Sequence, residues 1–413
     1  MSGSATSDAS DGSAGAQARN RRLWTVAIFL TMACTGAVMQ VRGAVLPTLE
    51  GYFTVPEWQL GLVAPAGTVG YLLVILAVGS SAGRVDARRF IAGGAALTGG
   101  ALIAMGLAPS FPVFLGALAV QGAAVGVFRA LDRPLLSHFY PNRRGQALTV
   151  ETMVWAVGAT IGPLLVFGSL MIGSWRLTYA FLAVATFGVA IAIARLESPV
   201  QAWDEQALAR DDVLSLLRRP TLLLMALTLV LVGGIESVFF TWLPYYTTEF
   251  FSRGVANLTL SVYLAAYIPG RLAFSVVAEK YSPPDAVFAS ALVLAVLLTA
   301  LLSVQSHVLP RYILATFLVG LLVSGLFPML LTWGVEVAPR FTGPINALAL
   351  VASQLGFLIV PPTVGLLADR YSIGRALLVQ VGLACGLSLL LGVRRVVSRQ
   401  GREQTADQPT NES

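Results

Sequence analysis

Charged residues are scarce in this sequence. They make up 12% of its 413 residues, whereas hydrophobic residues make up 56%. A soluble domain carries about 25% charged residues, so most of this protein's surface must face something other than water. The formal net charge of +6 does not indicate nucleic-acid binding, because the basic residues are dispersed between apolar stretches.

The residue types that build catalytic or metal sites are also few. The two cysteines, Cys34 and Cys385, lie inside apolar runs, so they predict neither a disulfide framework nor a metal site. No cluster of histidine, cysteine and acidic residues has the spacing of metal ligands. The sole lysine, Lys280, does not follow a glycine-rich phosphate loop. We therefore expect no enzyme, no metal and no cofactor.

Long hydrophobic runs, in contrast, are abundant. A membrane-spanning helix needs roughly 20 apolar residues, and twelve segments approach that length. Helix is the expected form, because the segments lack the alternation of a membrane β-barrel. The segments are 23–46, 58–80, 90–108, 112–136, 147–169, 175–194, 221–243, 258–278, 286–304, 311–334, 344–367 and 374–393. The sequence thus predicts an all-α polytopic membrane protein with twelve transmembrane helices.

One stretch occurs twice. Tyr140–Pro163 returns in altered form about 198 residues later as Val337–Pro362. Each copy is a short polar turn with arginine, followed by an apolar helix that we expect to end at Gly162-Pro163 or Pro361-Pro362. Such a repeat indicates two six-helix bundles related by a pseudo-twofold axis. The predicted organisation is a disordered cytoplasmic tail (1–22), a first bundle (23–196), a cytoplasmic linker (197–220), a second bundle (221–394) and a disordered cytoplasmic tail (395–413).

The distribution of basic residues predicts the orientation. With the N-terminus inside, the inner segments hold 18 of the 27 lysines and arginines, and the outer loops hold five. Cytoplasmic loops carry such an excess of basic residues. We expect a multi-pass protein of the cell membrane with both termini in the cytoplasm.

Polar and charged side chains inside the predicted spans are the candidate functional residues. A charge at the bilayer centre costs roughly 2.5–3.5 kcal/mol on insertion scales, so it should face a cavity or a partner. The candidates for solute binding are Arg42, Gln121, Arg129, Glu236, Tyr263, Tyr267 and Gln354. Asp132 has either a gating or proton-coupling role beside Glu236 or is the partner of Arg129 or Arg133 in an ion pair. Arg271 and Glu151, near inner helix ends, are expected to extend to the interface or to pair with loop charges.

Several motifs together resemble the major facilitator superfamily over nearly the whole chain. The stretch from Gly79 to Arg89 resembles the family's basic loop after the second helix, and Glu279-Lys280 is its counterpart in the second half. Gly158-x-x-x-Gly162-Pro163 resembles part of a motif in the fifth helix of exporters. The resemblance implies two bundles that rock about a central cavity, which is alternating access. It also implies an inner gate formed by Arg84, Arg88, Arg89, Glu279 and Lys280; the alternative is that these charges only enforce topology.

The region around Glu236 resembles the fucose and glucose permease branch of that family. In that branch a glutamate precedes a Trp-x-Pro motif by six residues, as Glu236 precedes Trp242-Leu-Pro244 here. In the organophosphate–phosphate antiporter branch an arginine occupies this position. Our hypothesis is that Arg42 holds a carboxylate or polar oxygen of a solute and that Glu236 takes up and releases a proton.

The resulting expectation is a secondary active transporter for a small polar or anionic organic solute. Coupling to protons and a monomeric state are expected as well. The alternatives are a proton-driven drug efflux antiporter, suggested by Gly158–Pro163, and a membrane sensor that does not transport.

Overall fold

A computed structural model describes residues 5–79, 86–198, 218–303 and 308–406, and these form helices with no β-strand among them. Twelve helices in this part of the chain are long and apolar enough to cross a membrane. The prediction of a twelve-span, all-α membrane protein is therefore confirmed.

The helices are α1 (Ala5–Ala44), α2 (Leu46–Phe53), α3 (Glu57–Leu60), α4 (Val63–Gly79), α5 (Ala87–Gly106), α6 (Phe111–Phe139), α7 (Arg144–Ile172), α8 (Arg176–Ala194), α9 (Pro220–Thr247), α10 (Arg253–Ala265), α11 (Tyr267–Lys280), α12 (Pro283–Ser303), α13 (Leu309–Val337), α14 (Thr342–Arg370), α15 (Ile373–Ala376) and α16 (Leu378–Ala406).

The chain divides into two compact units. The first contains Met1–Val55 and Leu62–Ala207, and the second contains Pro56–Gly61 and Leu208–Ser413. The short helix α3 therefore belongs to the second unit, where it packs on α14. Of the predicted linker 197–220, residues 199–217 lie outside the described part of the chain, so the predicted domain boundaries stay a prediction.

Each unit repeats the same helix pairing. In the first unit α1 packs along α7, α4 along α6, and α5 along α8. In the second unit α9 packs along α14, α10 and α11 pack along α13, and α12 packs along α16. Small residues let these helices approach closely, as is usual in membranes: a Cβ atom at Gly158 of α7 would collide with the backbone of Ala33, and one at Gly233 of α9 with that of Ser353.

The repeated stretch has the same structure in both copies. A 3₁₀ turn, Pro141–Arg143 or Pro339–Phe341, leads into a helix of 29 residues, α7 or α14. The expectation that these helices end at their prolines is wrong, since Pro163, Pro361 and Pro362 lie inside them. Prolines are tolerated inside membrane helices because neighbouring groups can satisfy the carbonyls that they free. Near the second pair of prolines, Trp242 Nε1 of α9 donates to the carbonyl oxygen of Pro361 at 3.1 Å.

The first and last helices are longer than predicted. We expected disorder in 1–22 and 395–413, but α1 begins at Ala5 and α16 continues to Ala406. Extending an existing helix adds a hydrogen bond per residue without a new nucleation step. At the end of the last span, Arg394 lies 4.9 Å from the ring centroid of Trp333, and Arg395 Nε lies 3.7 Å from Asp285 Oδ1.

Candidate functional site

Arg42, near the end of α1, belongs to a polar cluster in the first unit. Its guanidinium donates to Gln121 Oε1 of α6 and lies against Gly67 of α4. Gln121 is fully buried, and Arg42 is half-buried. The phenol of Tyr179, on α8, lies within electrostatic reach of Arg42 and is 1% exposed. The structure therefore brings Arg42 and Gln121 together, as predicted candidates, and adds Gly67 and Tyr179.

A second cluster in the first unit contains both signs of charge. Arg129 and Asp132 of α6 form an ion pair, and Arg129 Nη1 also lies 3.1 Å from Glu151 Oε1 of α7. Both carboxylate side chains have no exposed area, and Asp132 Oδ1 accepts a hydrogen bond from the backbone N–H of Arg133 at 2.6 Å. For Asp132 this geometry supports the ion-pair alternative.

Glu151 differs from its prediction. We expected it to extend to the interface or to pair with loop charges, but it is buried and pairs with Arg129 inside a neighbouring span. The reason is the side of α7 on which it lies: Glu151 faces α6, so the nearest cation is Arg129 and not a loop arginine.

The polar cluster of the second unit centres on Glu236 of α9. Tyr267 donates its hydroxyl hydrogen to Glu236 Oε1 at 3.1 Å, and the hydroxyls of Tyr263 and Tyr267 lie 3.2 Å apart. Both tyrosines are fully buried, whereas Glu236 is half-buried. Arg271 lies 5.5 Å from the ring centroid of Tyr267 and within electrostatic reach of Glu236. Tyr263 and Tyr267, both candidates from the sequence, thus form a chain of hydroxyl groups that leads to the Glu236 carboxylate.

Aromatic rings pack beside Tyr267, the hydrogen-bond partner of this carboxylate. Phe240 lies one turn beyond Glu236, and its ring centroid is 6.1 Å from that of Tyr267 and 6.0 Å from that of Phe357 on α14. Gln354, another predicted solute residue, is half-buried on α14 one turn before Phe357. Ionisable groups inside membrane spans usually face the bundle interior and mark functional sites, so Glu236 stays a functional candidate.

The predicted gate residues differ in their surroundings. Arg84 lies outside the described residues. Arg88 Nη1 donates to the carbonyl oxygen of Leu196 at 3.1 Å, and Arg89 Nε lies 3.3 Å from Asp86, the residue that caps α5. Glu279 and Lys280 are exposed at the end of α11. Their role in gating stays a prediction.

Sequence patterns missed Gly67 and Tyr179. Neither carries a charge, and both lie far along the chain from Arg42, so no spacing rule connects them. Only the packing of α4 and α8 in the first unit reveals them. For metals, the described residues contain no group of three or more histidine, cysteine or acidic side chains that could hold an ion.

Comparison with known proteins identifies the family. The model of the Major Facilitator Superfamily matches residues 28–254 and 248–411. The chain belongs to the major facilitator superfamily. Its members are transporters and not enzymes, so this chain is a multi-pass membrane transporter.

Relatives and solved structures agree with that family. The chain is 24% identical over 348 residues to the "Protein TsgA homolog" of Erwinia tasmaniensis, covering 81% of this chain and 86% of that protein. A bacterial homologue of the human lysosomal transporter Spinster has the same fold, with a TM-score of 0.80 at 14% identity, over 90% of this chain and 96% of the other. The fucose:proton symporter of E. coli gives a TM-score of 0.62 at 18% identity, over 91% and 99%.

Proposed function

We propose that this chain is a secondary active transporter that moves a small polar or anionic organic solute by alternating access, coupled to protons. The observation that carries the proposal is the cluster around Glu236: a half-buried carboxylate inside a spanning helix, held by the hydroxyl of Tyr267. A carboxylate at such a place is costly unless it binds a proton or a solute in part of a transport cycle.

Glu236 is the proposed proton-coupling residue. The alternative candidate, Asp132, is fully buried and bonded to Arg129, which supports a structural role for it. Arg42, Gln121, Tyr263, Tyr267 and Gln354 are the proposed solute-contacting groups, whereas Arg129 is better accounted for by its two carboxylate partners. A fucose:proton symporter shares the fold, so proton coupling is compatible with this architecture.

The glycines of α7 do not favour the alternative of drug export. Gly158 and Gly162 lie against the backbone of Ala33 and Ala37 of α1, so close helix packing explains the motif that resembles exporters. We propose transport in the cell membrane, by a monomer with both termini in the cytoplasm, as the sequence predicts.

The test is solute accumulation in proteoliposomes under an imposed proton gradient. The probes are radiolabelled sugars, nucleosides, dipeptides and small carboxylates. We expect one class to accumulate. Glu236→Gln should abolish accumulation but retain exchange of solute across the membrane, because exchange needs no net proton movement. Glu249→Gln is the matched control, since Glu249 is exposed and lies outside the spans.

Two results would contradict the proposal. Accumulation by Glu236→Gln at the wild-type level would exclude this residue as the coupling group. Flux that does not respond to the proton gradient in the wild-type protein would exclude proton coupling itself.

A further inference from the structure

Arg42 carries a positive charge with no opposite charge beside it in the described part of the chain. Within the described residues, no carboxylate lies within 4.0 Å of its guanidinium, and its hydrogen-bond partner is the neutral amide of Gln121. Arg129, by contrast, has two carboxylate partners. An uncompensated charge inside a membrane span is expensive, so its retention indicates an anion that comes from outside the chain.

Three polar atoms of the residues around Arg42 are buried without a hydrogen-bond partner among the described residues. Gln121 Oε1 accepts from Arg42, and the amide nitrogen of Gln121 is buried without a hydrogen-bond partner among the described residues. Arg42 Nε and the hydroxyl of Tyr179 are likewise buried without a hydrogen-bond partner among the described residues. Buried polar groups are normally hydrogen-bonded. All three atoms can donate a hydrogen bond, and a carboxylate, which only accepts, is a ligand that could satisfy them.

Gly67 provides the space in which the guanidinium lies. A Cβ atom at this position would approach Arg42 Cζ to 2.7 Å and Nη2 to 2.9 Å. Since the obstacle is the end of a flexible side chain and not backbone, a methyl group at Gly67 would displace the guanidinium without separating the helices.

We infer that Arg42, Gln121 and Tyr179 form a subsite for one carboxylate group of the solute, and that Gly67 fixes where that group binds. This inference rests on the proposed function, because it names the chemical class of the solute. A single cation matches a single negative charge, so the subsite fits a monoanionic carboxylate better than a doubly charged phosphate ester.

The test uses acetate as a minimal carboxylate and acetamide as its neutral counterpart. Purified full-length protein is treated with butanedione, which modifies arginine, and modification of Arg42 is followed by mass spectrometry of the digest. Acetate should protect Arg42 and acetamide should not. Arg129 is the internal control in the same digest, because its partners lie within the protein and acetate should leave its modification unchanged.

Two variants test the assigned groups. Tyr179→Phe should raise the acetate concentration for half-protection about tenfold, the effect of one hydrogen bond to a charged group. Gly67→Ala should remove most of the protection while the melting temperature stays near that of the wild type. Gly100→Ala is its control, since nothing lies within 4 Å of a Cβ atom there.

Equal protection by acetate and acetamide would overturn the inference. So would equal protection by chloride, which would indicate a site for simple anions, or unchanged protection in both variants. These results are separate from those of the transport test. Accumulation of a neutral solute without acetate protection would leave proton-coupled transport standing and remove the carboxylate subsite. Acetate protection with normal accumulation by Glu236→Gln would support the carboxylate subsite and exclude Glu236 as the proton-coupling residue.

Discussion

Removing the arginine of the buried ion cluster should destabilise the first unit strongly. Arg129→Met would leave Asp132 and Glu151, which have no exposed side-chain area, without the cation that both contact. Breaking a buried ion pair by removing one partner costs about 3–5 kcal/mol, mainly because the remaining charge stays buried. Arg133 and Tyr71 also face this cluster, and Arg133 can offset part of the loss, so we expect the lower end of that range.

The source of the loss can be isolated by neutralising the acids as well. In Arg129→Met combined with Asp132→Leu and Glu151→Met, no charge of the triad remains to be buried. Replacement of a complete buried ion cluster by well-packed apolar side chains of similar volume is often neutral or stabilising. We therefore expect the triple variant to recover most of the stability that the single variant loses. The measurement is the thermal unfolding of purified protein in detergent, followed by the loss of monodisperse protein.

An exposed ion pair serves as the control. Arg89 lies 3.3 Å from Asp86, and its side chain is 79% exposed. Such pairs contribute about 0–1 kcal/mol, so Arg89→Met should melt close to the wild type. The reasoning is refuted if Arg129→Met melts as Arg89→Met does, or if the triple variant is no more stable than the single one.

Two further predictions concern packing and orientation. Gly158→Leu should lower the stability by about 3 kcal/mol or prevent folding, because the side chain would meet the backbone of Ala33. The control Gly168→Leu should fold normally, since nothing lies within 4 Å of a Cβ atom there. Comparable yields of the two variants would contradict the packing argument. In a background without the native cysteines, an impermeant maleimide should label Glu249→Cys in intact cells and Ser282→Cys only after permeabilisation. These exposed residues lie on either side of the span Arg253–Lys280, and the reverse pattern would place the termini outside.

Hydropathy and repetition were sufficient to predict the fold. All twelve spans follow from runs of apolar residues, because a lipid environment demands a helix wherever such a run is long enough. The repeat also predicted equivalent elements, and α7 and α14 match in length and in the turn before them. Helix ends were predicted less well: Pro163 and Pro361 stop helices in water but lie inside them here.

The partners of the charged residues could not be predicted from sequence. Arg129 and Asp132 lie three residues apart on one helix, so their pairing follows from helical geometry. Glu151 belongs to another helix, and no spacing rule connects it with Arg129. The same limit applies to Tyr179 near Arg42, since the packing of four helices brings that cluster together. Sequence thus identified the ionisable groups in the membrane, and the fold was needed to determine which of them are satisfied within the protein.

The three polar clusters differ in how completely their charges are paired within the protein. This difference distinguishes the charges that we expect to stabilise the fold from those that we expect to take part in transport. The cluster around Arg129 is internally paired, so it needs no outside group and its removal should affect stability first. Glu236 has a hydroxyl partner and nearby Arg271, which stabilise a carboxylate without fixing it in a bidentate pair. Arg42 has a neutral partner and spare donors. An unbalanced charge in a membrane costs free energy whenever its ligand is absent. We therefore expect the transported species to neutralise Arg42 and Glu236, and substitutions there should change transport far more than they change unfolding.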